Sequence, residues 1–144
     1  MRGKLMIGIV LFSMLSLILG ACTEVAEDTN ELEDTRWVLE SYGPVENPKT
    51  VLEGTEITAI FESAEKQLRG SAGCNTYFGE YEIVGNQVSI YQLAYTEMAC
   101  MEPEGVMEQE SEYLGILQKA KSFEVENGLL RITTDSQLLV FSAQ

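Results

Sequence analysis

The amino-acid sequence predicts an α+β fold: one domain in which a strongly curved, mostly antiparallel sheet of about eight short strands is covered by one helix. Three observations support this prediction. Short segments rich in β-branched and aromatic residues are separated by turn residues, one longer segment has helical periodicity, and the connections between strands are short enough for hairpins. The 144 residues are enough for one domain and not for two.

The first predicted strand covers residues 36–42, with Trp37 and Leu39 on one face and Val38 and Tyr42 on the other. A loop with two prolines follows at 43–54. Asn-Gly at positions 127 and 128 is a strong hairpin signal. The other strands are expected at 55–62, 67–72, 79–84, 87–95, 122–126, 129–133 and 138–142.

The predicted helix covers residues 102–120, because Val106, Tyr113, Leu114 and Leu117 recur at helical spacing. Acidic residues crowd its start, where the helix dipole is positive, and lysines lie at its end, where the dipole is negative. The helix therefore has an apolar stripe that can cover the open side of the sheet.

The overall charge excludes some functions. The formal charge is −14, and a surface this acidic repels nucleic-acid phosphates. The chain contains no histidine, which is the commonest general base near neutral pH and the commonest metal ligand. A Ser-His-Asp or Cys-His nucleophile and the usual zinc sites are therefore excluded, and we expect neither a cofactor nor nucleic acid as a partner.

Residues 1–21 have the pattern of a signal peptide, with Arg2 and Lys4 before an uncharged apolar run at 5–19. The sequence Leu-Gly-Ala-Cys that ends at Cys22 resembles a lipobox, where a bacterial lipoprotein is diacylated on Cys and cut before it. Two other interpretations remain: an ordinary signal peptide cut near Ala21 or Ala26, and an uncleaved anchor helix. We expect lipidation at Cys22.

Residues 22–34 follow as an acidic stalk, expected to be disordered because it has little apolar content and charge of one sign. The acids could instead bind calcium, but they lack the spacing and the turn glycine of a known calcium loop. The globular domain is then expected at 35–144.

Two cysteines, Cys74 and Cys100, remain after Cys22. Export would place them in an oxidising compartment, which favours a structural disulfide. The alternative is a redox pair or a reactive thiol, but the spacing is not CxxC, and Glu97 and Glu102 oppose a thiolate. Four further sequence motifs attract attention: Trp37-Val38-Leu39; Gly73-Cys74-Asn75 with Tyr77 and Gly79; Thr96-x-Met98-Ala99-Cys100; and Met107-x-x-Glu110-x-x-Tyr113-Leu114.

In this order, these motifs resemble the META domain of the HslJ heat-shock lipoproteins. The resemblance covers about residues 36–141. It implies a small α+β fold with a curved antiparallel sheet, a location in the cell envelope, and an association with stress or antibiotic (novobiocin) tolerance. The family supplies no established catalytic residue, so none is assigned here.

Several candidate site residues have a structural and a functional interpretation. Glu110 lies on the inward stripe of the helix, where a buried carboxylate needs partners, so we expect it to bind backbone groups of the sheet rather than to act in catalysis. Trp37 is expected in the core rather than as a ligand platform. Asn75 is expected in a turn or cap, and Gly70 and Gly73 in tight turns beside the disulfide. Methionines near Cys100 could bind Cu(I), although methionine is also a common core residue: Met98, Met101 and Met107.

We therefore expect a non-enzymatic, lipid-anchored, monomeric domain of the cell envelope with an unidentified protein or small-molecule partner. It would lie at the outer membrane of a Gram-negative host, or otherwise on the outer face of the cytoplasmic membrane. Two alternatives are an inhibitor or ligand carrier and a glycan hydrolase with paired carboxylates. The loop at 43–54 is the expected recognition surface, because it is long and contains proline.

Overall fold

The computed structural model describes residues 31–144, which form nine strands and one helix. It confirms the α+β class, the single helix and the curved, mostly antiparallel sheet. The elements in chain order are β1 (Arg36–Pro44), β2 (Lys49–Thr50), β3 (Thr58–Glu62), β4 (Gln67–Ser71), β5 (Thr76–Val84), β6 (Gln87–Tyr95), α1 (Val106–Leu117), β7 (Ser122–Glu126), β8 (Leu129–Thr133) and β9 (Gln137–Ala143).

The strands follow one another around the sheet in chain order from β3 to β9, and every named pairing is antiparallel. The first strand pairs with both β3 and β9, which curves the sheet strongly. The junction between β6 and β7 is weak, because only Gln87 and Ser122 are in register there. The helix, which connects these two strands in the chain, has its main backbone contacts with β9 and β1.

Alternate residues of the strands point to the concave side and form the core with the inner face of α1. Three aromatic side chains make edge contacts beneath the helix: Tyr113 lies 5.8 Å from Tyr77 and 6.4 Å from Phe141, measured between ring centroids. The largest fully buried side chains are Trp37, Tyr77, Tyr113, Phe61, Phe141, Leu32, Ile57, Leu68, Ile116, Leu117, Leu130 and Ile132.

The predicted faces of β1 are wrong at one residue. Trp37 and Leu39 are buried as expected, but Tyr42 is buried with them. A β-bulge between Leu39 and Ser41 shifts the register with β9, and the extra residue moves Tyr42 onto the inner face.

Several element boundaries differ from the sequence prediction. The helix begins at Val106 rather than at 102, because Gly105 precedes it with a left-handed φ of 88°, and it ends at Leu117, after which the chain forms turns. The strand expected from residue 55 begins at Thr58, because the N–H of Thr55 donates to the carbonyl of Leu52 in a turn. The loop expected at 43–54 contains β2, and β5 begins at Thr76 rather than at 79.

The packed unit begins before residue 35, where the sequence placed the domain boundary. Leu32 is fully buried, and its carbonyl accepts a hydrogen bond of 2.9 Å from the Trp37 indole nitrogen. Glu33 bridges to Phe61, and the Asp34 carboxylate accepts hydrogen bonds from the backbone and the hydroxyl of Ser63. One apolar residue among the acids therefore joins this segment to the core.

Candidate functional site

A buried polar cluster joins α1 to the turn between β4 and β5. Glu110, which is only 3% exposed, accepts hydrogen bonds at one carboxylate oxygen from the backbone N–H groups of Asn75 (2.6 Å) and Cys74 (3.2 Å). Its other oxygen accepts from the Asn75 side-chain amide at 2.6 Å. This confirms the expectation that Glu110 binds backbone groups, although the groups lie in a turn rather than in a strand. Three N–H donors compensate the buried negative charge without a cation.

Asn75 connects this turn to the segment after β6. Its amide oxygen accepts hydrogen bonds from the Thr96 hydroxyl and from the Met98 backbone N–H, both at 2.7 Å. Its amide nitrogen donates to the Met98 carbonyl at 3.0 Å as well as to Glu110. Asn75 therefore uses both lone pairs and both N–H bonds of its amide within the fold.

A disulfide between Cys74 and Cys100 links the same two segments covalently. It spans a sequence separation of 26 residues, for which the chain-entropy model gives a stabilisation of about 3.5 kcal/mol. Gly73, directly before Cys74, has a φ of +110°. A residue with a side chain would be strained in this conformation, so the tight turn requires glycine here. The expected disulfide and the expected turn glycine thus belong to one structural unit.

Gly70, by contrast, is required by close packing within a strand. It pairs with Tyr77 across β4 and β5. A Cβ atom at this position would collide with the Thr58 carbonyl and approach the Tyr77 hydroxyl to 2.8 Å. The sequence interpretation of Gly70 as a turn residue is therefore wrong; the Tyr77 hydroxyl fills the space where a side chain would stand.

The hydroxyl groups of Tyr77 and Tyr113 form a second buried polar unit. They lie 2.7 Å apart, and Tyr77 donates a hydrogen bond of 2.7 Å to the Thr58 carbonyl, so Tyr113 donates to Tyr77. Burial raises the pKa of both hydroxyl groups well above the usual value for tyrosine. Both residues therefore remain neutral and act as structural hydrogen-bonding groups under ordinary conditions.

Gln109 is a buried polar residue that sequence reasoning missed. Its side-chain oxygen accepts a hydrogen bond from the Leu52 N–H at 2.7 Å, and its nitrogen donates to the Thr55 hydroxyl at 2.9 Å. Lys49 forms an ion pair with Glu112 on the same helix. These contacts fasten the C-terminal half of the expected recognition loop to α1, while residues 44–50 remain exposed. Gln109 lies four residues before Tyr113 on the buried stripe of the helix, and this spacing could have predicted from the sequence that Gln109 is buried.

An open groove lies between the outer half of β6 and α1, with a volume of about 320 Å³. The helix contributes Met107, Ser111, Leu114 and Gln118, which recur along one face at spacings of three and four residues. From the strand, Leu93 and Tyr95 line the opposite wall; the remaining lining residues are Glu110 and Gly115.

Three methionines lie near the disulfide but differ in exposure. Met98 and Met101 are 58% and 85% exposed, whereas Met107 is partly buried and its sulfur lies 3.4 Å from the Cys100 backbone nitrogen, from which it accepts a hydrogen bond. Copper binding by this set remains a hypothesis without a direct test. Within residues 31–144, no group of three or more Cys, Asp or Glu side chains is placed to hold a metal ion.

The expectation of paired catalytic carboxylates finds no specific support in residues 31–144. Glu110 is the only buried acid among them, and both of its oxygens are occupied by N–H donors. No buried side-chain nitrogen or oxygen in this part of the chain lacks a hydrogen-bond partner. The buried polar residues are therefore fully used by the fold itself.

The fold and the polar cluster define a single-domain α+β protein with a curved sheet, a covering helix and a disulfide-linked turn. The sequence matches the META domain over residues 30–144, so the chain belongs to the META domain family. This result confirms the resemblance inferred from the motifs. Trp37, Asn75, Glu110 and Tyr113 are all buried, whereas Met98 is exposed.

Solved structures share this fold. The NMR structure of a protein from Burkholderia xenovorans is similar with a TM-score of 0.67 and 26% identity, covering 83% of this chain and 92% of that one. A second NMR structure gives 0.62 and 23%, covering 81% and 95%. A crystal structure of a DUF4847 family protein from Bacteroides vulgatus gives 0.55 and 12%, covering 77% and 93%. No curated protein sequence matches this chain.

The signal peptide, the lipidation site at Cys22 and most of the expected stalk lie outside the described residues. Within 31–144, the helices are too short or too polar to cross a membrane.

Proposed function

We propose that this chain is a non-enzymatic META domain of the cell envelope, held at a membrane by a lipid on Cys22, that acts by binding a partner protein or ligand. The observation that carries the proposal is that the polar groups of the motif residues are already hydrogen-bonded within the domain. Glu110, Asn75 and Thr96 use their polar groups on one another and on nearby backbone. A catalytic acid or nucleophile needs a free polar atom facing substrate, whereas these residues serve to shape the domain.

The lipid anchor is supported by the order of features at the N-terminus. Positive residues, a 15-residue apolar run and the sequence Leu-Gly-Ala-Cys precede an acidic segment. Each buried acyl CH₂ contributes about 0.8 kcal/mol, so two or three chains hold a protein stably at a bilayer. The proposed location is the outer membrane of a Gram-negative host, or otherwise the outer face of the cytoplasmic membrane.

The anchor is tested with the full chain carrying Cys22→Ser, with Thr23→Ala as the matched control. Mass spectrometry should find a diacylglyceryl group on Cys22 of the parent and the control. The Cys22→Ser protein should lose this group and leave the membrane fraction after processing. A processed Cys22→Ser protein that stays at the membrane would contradict the anchor.

The binding role is tested by chemical cross-linking of the lipidated chain in intact cells, followed by purification and mass spectrometry. A binding domain should yield a reproducible adduct that a Cys22→Ser protein forms less well. The association with stress is a separate part of the proposal. If deletion of the gene leaves sensitivity to envelope stress and to novobiocin unchanged, that part is wrong.

A ligand carrier is a second candidate, which the groove favours. Its volume of about 320 Å³ lies at the lower end of the range of small-molecule sites. An inhibitor function would instead use an exposed segment such as residues 44–50, which is held to α1 at its C-terminal side through Lys49 and Leu52 and could enter a partner's cleft.

A further inference from the structure

The two halves of β6 have different neighbours. On the side facing β7, the Asn86 carbonyl accepts from the Phe123 N–H at 2.9 Å, and the Val88 N–H donates to the Lys121 carbonyl at 3.1 Å. Beyond these contacts, residues 89–95 pair only with β5. Among residues 31–144, no strand therefore lies along the other edge of this segment. In an antiparallel strand, alternate N–H and C=O groups point to such an edge and can accept a further strand.

The groove runs along this free edge. The helix wall from Met107 to Gln118 is about 16 Å long, at a rise of about 1.5 Å per residue. This length matches about five residues of extended chain. A bulge opposite Gly79, where Gln92 has a φ of +49°, interrupts the strand and limits an added strand to a short one.

The residues that line the groove can accept a bound strand whose side chains point alternately into the groove and towards solvent. Leu93, Met107 and Leu114 give the interior an apolar character. Tyr95 lines the groove and is 52% exposed, and Met98 and Met101, which follow it at intervals of three residues in the chain, are 58% and 85% exposed. A bound strand would point every second side chain into the groove and the others towards solvent.

The charge of the domain favours a positively charged occupant. Residues 31–144 contain 20 Asp and Glu but only seven Lys and Arg. Five of these seven cations already form ion pairs within the domain. Glu97 and Glu108 flank the groove residues Tyr95 and Met107 in the sequence and are exposed. The acidic segment before residue 31 carries the same sign of charge, which disfavours it as the occupant.

We propose that the groove between β6 and α1 binds a short, extended, positively charged peptide segment of a partner protein, which adds a strand to the free edge of β6. The main-chain hydrogen bonds would supply binding that tolerates sequence variation, and the apolar groove and acidic surroundings would supply selectivity. This inference rests on the proposed function, because it names the surface through which the domain binds a partner.

Gly115 offers a way to close the groove without disturbing the core. It lines the groove, and a Cβ atom added there meets no other atom within 4 Å. Gly115→Phe should therefore occupy the groove, whereas Gly115→Ala is a matched control that adds one methyl group. Circular dichroism and thermal unfolding of both variants show whether the fold is kept.

The probe is a display library of random seven-residue peptides, selected on the full lipidated chain in phosphatidylcholine nanodiscs, with empty nanodiscs used for subtraction. Enriched peptides should be rich in Lys and Arg with alternating apolar residues. Fluorescence polarisation should then show at least tenfold weaker binding to Gly115→Phe and binding within twofold of the parent for Gly115→Ala. Methylation of alternate backbone nitrogens of the peptide should also weaken binding at least tenfold.

The inference is overturned by no enrichment over empty nanodiscs, by enrichment of uncharged or acidic peptides, or by equal binding to Gly115→Phe. A dimer of the parent chain that Gly115→Phe dissociates would also overturn it, because a second copy would then fill the groove. Cross-linking in cells separates the two proposals. An adduct that forms equally with Gly115→Phe would leave the binding function intact and place the contact elsewhere.

Discussion

The two faces of α1 differ in how they use polar and apolar groups. On the inner face, Gln109, Glu110 and Tyr113 are buried, and each makes hydrogen bonds to another part of the chain. On the outer face, Met107, Ser111 and Gln118 line a groove open to solvent. The inner face joins segments that are far apart in sequence, and the outer face stands beside an edge of β6 that pairs with no strand among residues 31–144.

This difference shows that the helix motif serves two purposes: Glu110 and Tyr113 form buried hydrogen bonds, while Met107 and Leu114 also line the proposed binding groove. Glu110 and Tyr113, which carry the family resemblance, hold the helix in place. The outer face inherits its shape from that placement, because the groove exists only while α1 stands beside β6. Changes on the inner face should therefore reduce stability, and changes on the outer face should alter binding with little loss of stability.

Among changes on the inner side of α1, the largest loss of stability should come from removing the disulfide. Replacing Cys74 and Cys100 together by serine frees the chain between them, and we expect the free energy of unfolding to fall by about 3.5 kcal/mol. Urea unfolding of the parent and the double variant measures the difference. Reduction of the parent protein should give a similar loss; a loss below about 1 kcal/mol would show that the hydrogen bonds of Asn75 hold this region by themselves.

The next largest effect should come from Glu110→Leu. This change leaves the N–H groups of Cys74 and Asn75 and the Asn75 amide without their acceptor, so we expect a loss of about 3 kcal/mol. Glu108→Gln, on an exposed position of the same helix, is the control and should change stability by less than about 0.5 kcal/mol. Equal losses of stability in the two variants would contradict the expectation that the inner face of α1 contributes more to stability than its exposed positions.

Alkaline pH should lower the free energy of unfolding through the buried tyrosines on the inner side of α1. Burial raises the pKa of Tyr77 and Tyr113, so the folded protein keeps protons that an unfolded tyrosine releases near pH 10. The unfolded state then binds fewer protons, and the free energy of unfolding falls above about pH 10, by up to about 1.4 kcal/mol per pH unit for each residue. Below that pH, the two hydroxyl groups contribute no pH dependence.

Urea unfolding between pH 8 and 11 measures this slope, and absorbance at 295 nm follows the tyrosinates. Phenylalanine at both positions should reduce the slope, and the remaining slope should come from Tyr42 and Tyr81, whose pKa burial also raises. Titration of all six tyrosines together near pH 10 in the folded protein would contradict the expectation.

The two tyrosines should also differ from each other. Tyr77→Phe removes the donor to the Thr58 carbonyl and the acceptor for Tyr113, so we expect a loss of about 2 kcal/mol. Tyr113→Phe removes one hydrogen bond and leaves Tyr77 bound to Thr58, so the loss should be about 1 kcal/mol. Thermal unfolding of the two variants side by side tests the order, and the reverse order would contradict the assignment of two hydrogen bonds to the Tyr77 hydroxyl.

The smallest effect, with the opposite sign, should come from the outer face. Gly115→Ala places a methyl group in open space within a helix, where alanine is favoured over glycine, so we expect a gain of about 0.5–1 kcal/mol. Urea unfolding detects the gain. A loss of stability would indicate that the groove is more crowded than its open shape suggests.

Much of the fold was predictable because it depends on local patterns. The hairpin at Asn127 and Gly128, the helical stripe and the acidic Glu108 in the first turn follow from periodicity and turn chemistry. The lysines expected at the end of the helix lie after its last residue, Leu117, so this part of the prediction is wrong. The prediction failed where distant packing decided the outcome. The bulge in β1 buries Tyr42, and the bridge from Glu33 to Phe61 and the hydrogen bond from Trp37 to the Leu32 carbonyl bring Leu32 into the domain. Neither effect leaves a periodic signal in the residues concerned.

The candidate site shows the same division. The sequence identified Cys74, Cys100 and Glu110 and predicted a disulfide and a hydrogen-bonded carboxylate, because a cysteine pair and an acid on an apolar stripe each need a partner. It could not indicate which turn receives Glu110, nor that Gln109 fastens the loop before β3.

The sequence by itself determined the class of the fold, the absence of histidine chemistry and the excess of negative charge, because these depend on composition and on local periodicity. Only the tertiary structure decided that the motif residues bind one another and that β6 keeps a free edge beside α1. The physical reason is that both features depend on the positions of segments 21 to 36 residues apart, which the curvature of the sheet and the placement of the helix fix together.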